Sequence, residues 1–283
     1  MNNFTLFINI INTILIVFIT YKYIINKYLL LIPIFISLFC FIAIPIKSFQ
    51  LAISLTIIFL AAIFLFRYYD NMKYLRRIIP IGIMIGILVI FRIEMAVFIY
   101  GMYFWAIFWA GLADVEGLRF PLKKRAVRSF FQGIFFTFTV IIVIVLYMCY
   151  ELIYKYKSFL FSKLIVELKN MFSVTGLFKI PTFNDNIILL TLLSIYIISL
   201  IILIFKHKKK ILLSSHPCFW KEMLIINIGL NLYPQAILTS DIENTIPLIL
   251  ISSMLLPNII YYIINEVKIY KDKLLYDKIN NFN

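Results

Sequence analysis

Residues 78–112 read IIPIGIMIGILVIFRIEMAVFIYGMYFWAIFWAGL. Only two charges, Arg92 and Glu94, interrupt an otherwise aliphatic and aromatic run. A helix crosses the hydrocarbon core with about 20 apolar residues at about 1.5 Å each. As one helix the stretch would be about 52 Å long. The stretch is either one long, tilted helix projecting from the bilayer or a broken pair; no proline or turn cluster divides it after Pro80, which favours the single helix. The whole chain agrees in character: of its 283 residues 63% are hydrophobic and only 14% charged, with a mean hydropathy of +1.00. Soluble domains carry about 25% charged residues. A soluble enzyme is excluded, and the fold class expected is all-α, a polytopic integral membrane protein.

Working outward, further spans are expected at 4–21, 28–46, 49–66, 128–150, 186–205 and 243–265. With 78–112 they make about seven transmembrane helices in a single membrane domain over 1–283. An eighth, at 222–238, is interrupted by Asn227, Asn231 and Pro234. The apolar start from Phe4, without a basic leader or small-residue cleavage site, reads as a retained span. Short basic connections lie at 67–77 and 114–128, and the longest extramembrane loop at 154–185. The middle of that loop, KLIVELKNMF, has apolar residues at helical spacing suited to a bilayer surface. Lys206-His207-Lys208-Lys209-Lys210 closes the sixth span, and the Asn-, Lys- and Tyr-rich tail at 270–283 is expected to fray.

The net charge of +14 points to anionic headgroups or acidic partners and not to nucleic acid. Basic residues occur in nearly every loop, so counting them along seven spans does not orient the chain. Cys40, Cys149 and Cys218 are far apart, without metal or disulfide spacing, and read as packing residues.

Ionisable residues inside a bilayer are costly and mark function by default. Arg92 and Glu94, near the middle of the 78–112 stretch, would point to different helix faces at i and i+2 and are not an obvious mutual pair; on a long tilted helix both would instead lie near an interface. Glu151, Asp114 and Glu116 fall at span ends, where carboxylates face basic loops. His207 sits in the lysine run and His216 precedes Pro217, both as loop residues. Two histidines outside the spans make haem ligation by this chain unexpected, and no cofactor or metal site is expected. No GxSxG, HExxH or phosphate-loop motif is present. Trp105 and Trp109, with Tyr103, Phe104 and Phe108, form an aromatic block suited to packing or to an interfacial belt.

Residues 82–116 also resemble the third membrane helix of cytochrome c oxidase subunit III. Gly82 and Gly86 hold its glycine spacing, and Glu94 follows Gly86 at its interval. Gly101, Phe104-Trp105-Ala106, Leu112-Ala113 and Glu116 keep its order. Residues 132–151, QGIFFTFTVIIVIVLYMCYE, resemble the family's fifth helix through Gln132, Thr137, Thr139 and Glu151. Fainter echoes lie at Arg67 to Asp70 and at 214–222, which contains His216. Three departures stand beside these. Trp109 replaces a family histidine, the family's fourth helix has no counterpart between Glu116 and Gln132, and the C-terminal third is unassigned.

The resemblance implies a non-catalytic core subunit of a haem–copper oxidase in the mitochondrial inner membrane. Such a subunit packs beside oxidase subunits I and II, holds phospholipids in a cleft between helices and supports proton uptake. On that reading Glu94 is the membrane carboxylate beside the lipid, Arg67 holds a phosphate headgroup, and Trp105 and Glu116 belong to the same lipid- and proton-related set. Glu151 and His216 are structural. The Ile-, Phe-, Asn-, Lys- and Tyr-rich composition suits an AT-rich organellar genome such as a ciliate's. Two alternatives stay open. One is a membrane subunit of complex I; the other is a bacterial transporter or channel, which would show inverted repeats and broken helices.

Overall fold

The computed structural model describes residues 3–43, 46, 48–70, 72, 75–113, 121–155, 162, 166, 187–206, 217–239 and 242–280. Among the described residues the main elements are nine α-helices, and there is no strand. They are α1 (Asn3–Tyr21), α2 (Leu31–Ala43), α3 (Phe49–Asp70), α4 (Ile78–Phe91), α5 (Ile93–Ala113), α6 (Leu122–Lys155), α7 (Ile187–Lys206), α8 (Pro217–Thr239) and α9 (Ile242–Asn280). Six of them, all but α2, α4 and α8, are long and apolar enough to cross a membrane. The chain is an all-α polytopic membrane protein.

The helices alternate in direction. Phe4 stacks near Phe49, and Tyr23 lies edge-on to Phe66, so α1 and α3 run parallel. Arg77, just ahead of α4, donates to the Arg67 carbonyl near the end of α3. α7 and α8 run antiparallel, with the Tyr233 hydroxyl reaching the Leu189 carbonyl at one end and Lys206 meeting Glu222 at the other. One end of the bundle therefore gathers the starts of α2, α4, α6 and α8 with the finishes of α1, α3, α5 and α7.

The expected long helix over 78–112 is instead two helices. Arg92 is extended (φ −147°, ψ 91°) between α4 and α5. A Cβ on Gly82 would fall 2.6 Å from Thr139 Cβ, and one on Gly86 2.6 Å from Val143 Cβ. α4 thus runs parallel to α6. Tyr100 meets Thr137 at 2.7 Å, while Gly111 lies against Ser129 and Gln132, so α5 runs antiparallel to α6. The chain reverses within one residue and keeps helical bonds on both sides, Arg92 N–H to Leu88 at 2.8 Å and Ala96 N–H to Arg92 at 3.0 Å. The two pieces measure about 21 and 31 Å, so α5 matches a hydrocarbon core of about 30 Å and α4 falls short of it, whereas a single rod of about 52 Å overshoots.

Three further expectations change. The span 28–46 contains a helix of 13 residues, α2. The interrupted 222–238 segment lies within a continuous helix of 23 residues that accommodates Pro234. The expected fraying tail is helical through Asn280. The longest loop falls outside the described residues apart from its first two positions and positions 162 and 166, as do His207 and Asp114.

Buried tyrosines tie the helices together. Tyr103 donates to the Ile58 carbonyl at 3.0 Å, Tyr196 to Leu248 at 2.8 Å, Tyr233 to Leu189 at 3.1 Å and Tyr23 to Met254 at 2.5 Å. Asn12 links α1 to α3, donating to the Ala52 carbonyl at 3.0 Å and accepting from the Thr56 hydroxyl at 2.8 Å. The glycine contacts supply a direct check. Gly86→Leu should force α4 from α6 and lower stability by about 1–3 kcal/mol, the usual cost of overpacking. Gly101→Ala, whose Cβ meets nothing within 4 Å, should leave it unchanged. Thermal shift of the detergent-solubilised protein reads both, and equal shifts would contradict the α4–α6 contact.

Candidate functional site

All three tryptophans of the chain, Trp105, Trp109 and Trp220, line one groove between α5 and α8. It encloses about 520 Å³. Of the aromatic block, Trp105 and Trp109, one turn apart on α5, line one wall, and edge-to-face contacts brace them, Phe104 to Trp105 at 5.9 Å, Trp105 to Phe108 at 5.7 Å and Phe108 to Trp109 at 5.9 Å. Trp105 is 54% exposed and Trp109 37%, so this wall opens outward, whereas Trp220 on α8 is buried. Gly101, without a side chain, widens the groove midway along α5. Two polar residues line its α8 side, Asn227 and Asn231, and the Asn231 amide donates to the Asn227 carbonyl at 2.8 Å. A narrow apolar trough with aromatic walls and isolated amides fits an acyl or isoprenoid chain.

Arg92 and Glu94 form a second feature, and here the expected lack of pairing is corrected. Arg92 Nε lies 2.7 Å from Glu94 Oε1. On a continuous helix, positions two apart diverge; the extended backbone at Arg92 is what turns the guanidinium back over the first turn of α5. Nor does the pair sit at mid-membrane. The offset that sets Gly82 at Thr139 and Gly86 at Val143 carries Arg92 to the level of Cys149, near the end of α6. Glu151, one turn or less beyond, is 3% exposed.

The remaining expected residues are dispersed. Arg67 is exposed near the end of α3, with its guanidinium 6.0 Å from the Phe64 ring centre. Glu94 begins α5, which runs alongside α3, so the two lie toward opposite ends of the bundle. Trp105 stands between them in level, about 16 Å along α5 from Glu94. Glu116 and His216 fall outside the described residues. The site expected from Glu94, Arg67 and Trp105 together is not assembled; Trp105 alone lines the groove.

Sequence reasoning missed the contribution of α8. Lys221, 7% exposed, places its ammonium 2.6 Å from Asp70 Oδ1 and 5.7 Å from the Phe66 ring centre. Its neighbour Glu222 lies 3.9 Å from Lys206. The signal available was a Trp-Lys-Glu triplet entering an apolar segment; what the charges meet is separated by up to 151 positions. With this geometry in view, no protein-family model, curated protein or solved structure matches the chain.

The Lys221 pair is open to test. Asp70 is 49% exposed on its side chain while Lys221 is nearly buried, so removing the carboxylate strands an ammonium. Asp70→Asn should cost about 1–3 kcal/mol. Adding Lys221→Met should recover much of that loss, since a buried ion pair is often replaceable by apolar packing. A double-mutant cycle by thermal unfolding measures it, and strict additivity would show that the two side chains do not interact.

Proposed function

We propose that this chain is a non-catalytic core subunit of a larger membrane assembly and that its tryptophan-lined groove holds the acyl chain of a phospholipid. The assembly that the sequence resemblance favours is a respiratory haem–copper oxidase of the mitochondrial inner membrane, with this chain in the place of subunit III. The observation that carries the lipid role is the groove itself: three tryptophans, an outward-facing wall and two amides on α8. Aromatic rings give such a chain large contact area with little conformational entropy to lose.

A supporting role also suits the surface of α6. Only 22% of its best spanning stretch is buried inside the bundle, and Phe130, Phe131, Ile134, Phe138 and Ile141 are exposed. Lipid or a neighbouring subunit covers such a face equally well. The two sequence blocks behind the oxidase resemblance are packed against each other, α4 and α5 on α6. They also differ from it: the block 82–116 resembles one family helix and folds as two. Glu94 consequently supports a helical turn, and the lipid contacts belong to Trp105 and Trp109.

A transporter is the second reading, and a specific feature favours it. A pocket of about 340 Å³ is lined by Lys22, Tyr23, Lys206, Cys218 and Glu222, where the Lys206–Glu222 pair could meet a charged solute. Gentle solubilisation, native mass spectrometry and an optical spectrum of the same band distinguish the two. Co-migration with haem a and copper-bearing subunits, with bound phospholipid lost in Trp105→Ala/Trp109→Ala, is the expected result. Isolation in a haem-free form removes the oxidase assignment. Unchanged lipid content in the double variant removes the groove as the lipid site.

A further inference from the structure

The reversal at Arg92 changes which connections share a side of the membrane. Were 78–112 one crossing, the basic segments 67–77 and 114–128 would lie on opposite sides. With α4 and α5 as a hairpin, both join helix ends at the same end of the bundle. The same reversal brings Lys206 to that end, and α8 as a further helix returns the basic tail beyond Val267 to it through α9. Each connection can be assigned to the end whose helices it joins, and the charges then divide unequally. Among the described residues, one end carries 15 Lys and Arg against 5 Asp and Glu, and the other 2 against 3.

We infer that the strongly basic end faces the cytoplasm or organelle matrix and rests against a leaflet of anionic phospholipid, with the start of α1 on the opposite side. Positive residues flanking spans are retained on the inner side during insertion. Each Lys or Arg near an anionic surface gains about 1 kcal/mol. The charges are placed for it: Lys22, Lys27, Arg67, Arg76, Lys123 and Lys124 are all exposed at this end.

The first turns of α6 add a physical reason. Lys123, Lys124, Arg125 and Arg128 crowd a helix N-terminus with no acidic residue in its first turn, although the helix dipole disfavours cations there. Two of them make intramolecular bonds, Arg125 to the Leu112 carbonyl at 3.2 Å and Arg128 to the Met72 carbonyl at 3.0 Å. Lys123 and Lys124 point outward. Phosphate headgroups relieve the repulsion that the helix end and its own arginines impose on them.

Two measurements on the full chain test this. In a background of Cys40→Ala, Cys149→Ser and Cys218→Ser, a membrane-impermeant maleimide should label Lys124→Cys in inside-out vesicles and Asn3→Cys in right-side-out vesicles. The reverse pattern, or labelling of both from one side, overturns the orientation. Unsubstituted protein extracted from vesicles of equal phosphatidylcholine and phosphatidylglycerol should carry a several-fold excess of the anionic lipid by native mass spectrometry. Lys123→Gln/Lys124→Gln should reduce that excess without changing the labelling of Asn3→Cys. Equal uptake of the two lipids by the unsubstituted protein overturns the anionic-leaflet contact, whatever the labelling shows.

Discussion

Tyrosine hydroxyls bonded to main-chain carbonyls of neighbouring helices are the interaction on which this bundle depends. Between helices in lipid there is little hydrophobic drive, because acyl chains are as apolar as the side chains they replace. Specific pairing then comes from close packing and from hydrogen bonds that lipid cannot supply. Tyr103, Tyr196, Tyr233 and Tyr23 each donate across a helix boundary. A carbonyl has two lone pairs, so it accepts such a donor while keeping its own helical bond. Among them the four reach α3, α7 and α9, and Asn12 adds α1 to α3. Tyr23 and Tyr196 both anchor α9, with acceptors six residues apart on that helix.

The close approach of α4 to α6 rests on a different device. Gly82 and Gly86, four apart, let the two backbones approach where larger residues would collide with Thr139 and Val143. That contact aligns α4 with α6, and the turn at Arg92 sends α5 back along the same helix. The Arg92–Glu94 pair closes over the turn. Two charges that are expensive in hydrocarbon are thereby placed at the end of a hairpin, nearer the headgroups, and satisfy one another there.

From this arrangement follow the surfaces that bear on function. α5 presents Trp105 and Trp109 outward beside α8, which contributes Trp220 and the two asparagines, so the groove exists only because these helices are neighbours. The same alternation of helices concentrates cations at one end. On the proposed reading a lipid-holding subunit would use both features, an aromatic trough for a chain and a basic rim for headgroups. α6 adds a long exposed apolar face, with Phe130, Phe131, Ile134, Phe138 and Ile141 on the outside of the bundle.

By itself the sequence determined that the protein is helical and membrane-embedded, because 63% hydrophobic residues in runs of about 20 leave no other solvent for them. It also located the aromatic block and the glycine pair at positions where they matter. The tertiary structure decided how many helices those runs make and which are adjacent. Arg92 and Glu94 mark a polar interruption in the run but do not by themselves announce a reversal; that is fixed by the fit of Gly82 and Gly86 to α6. The partners of Lys221 and Glu222 were equally illegible, since Asp70 and Lys206 are distant along the chain. Once the extra helices are in place, the sidedness of every basic segment beyond Arg92 follows from connectivity. Residue types decided that the chain enters the membrane; packing decided how it is folded there and which of its ends is basic.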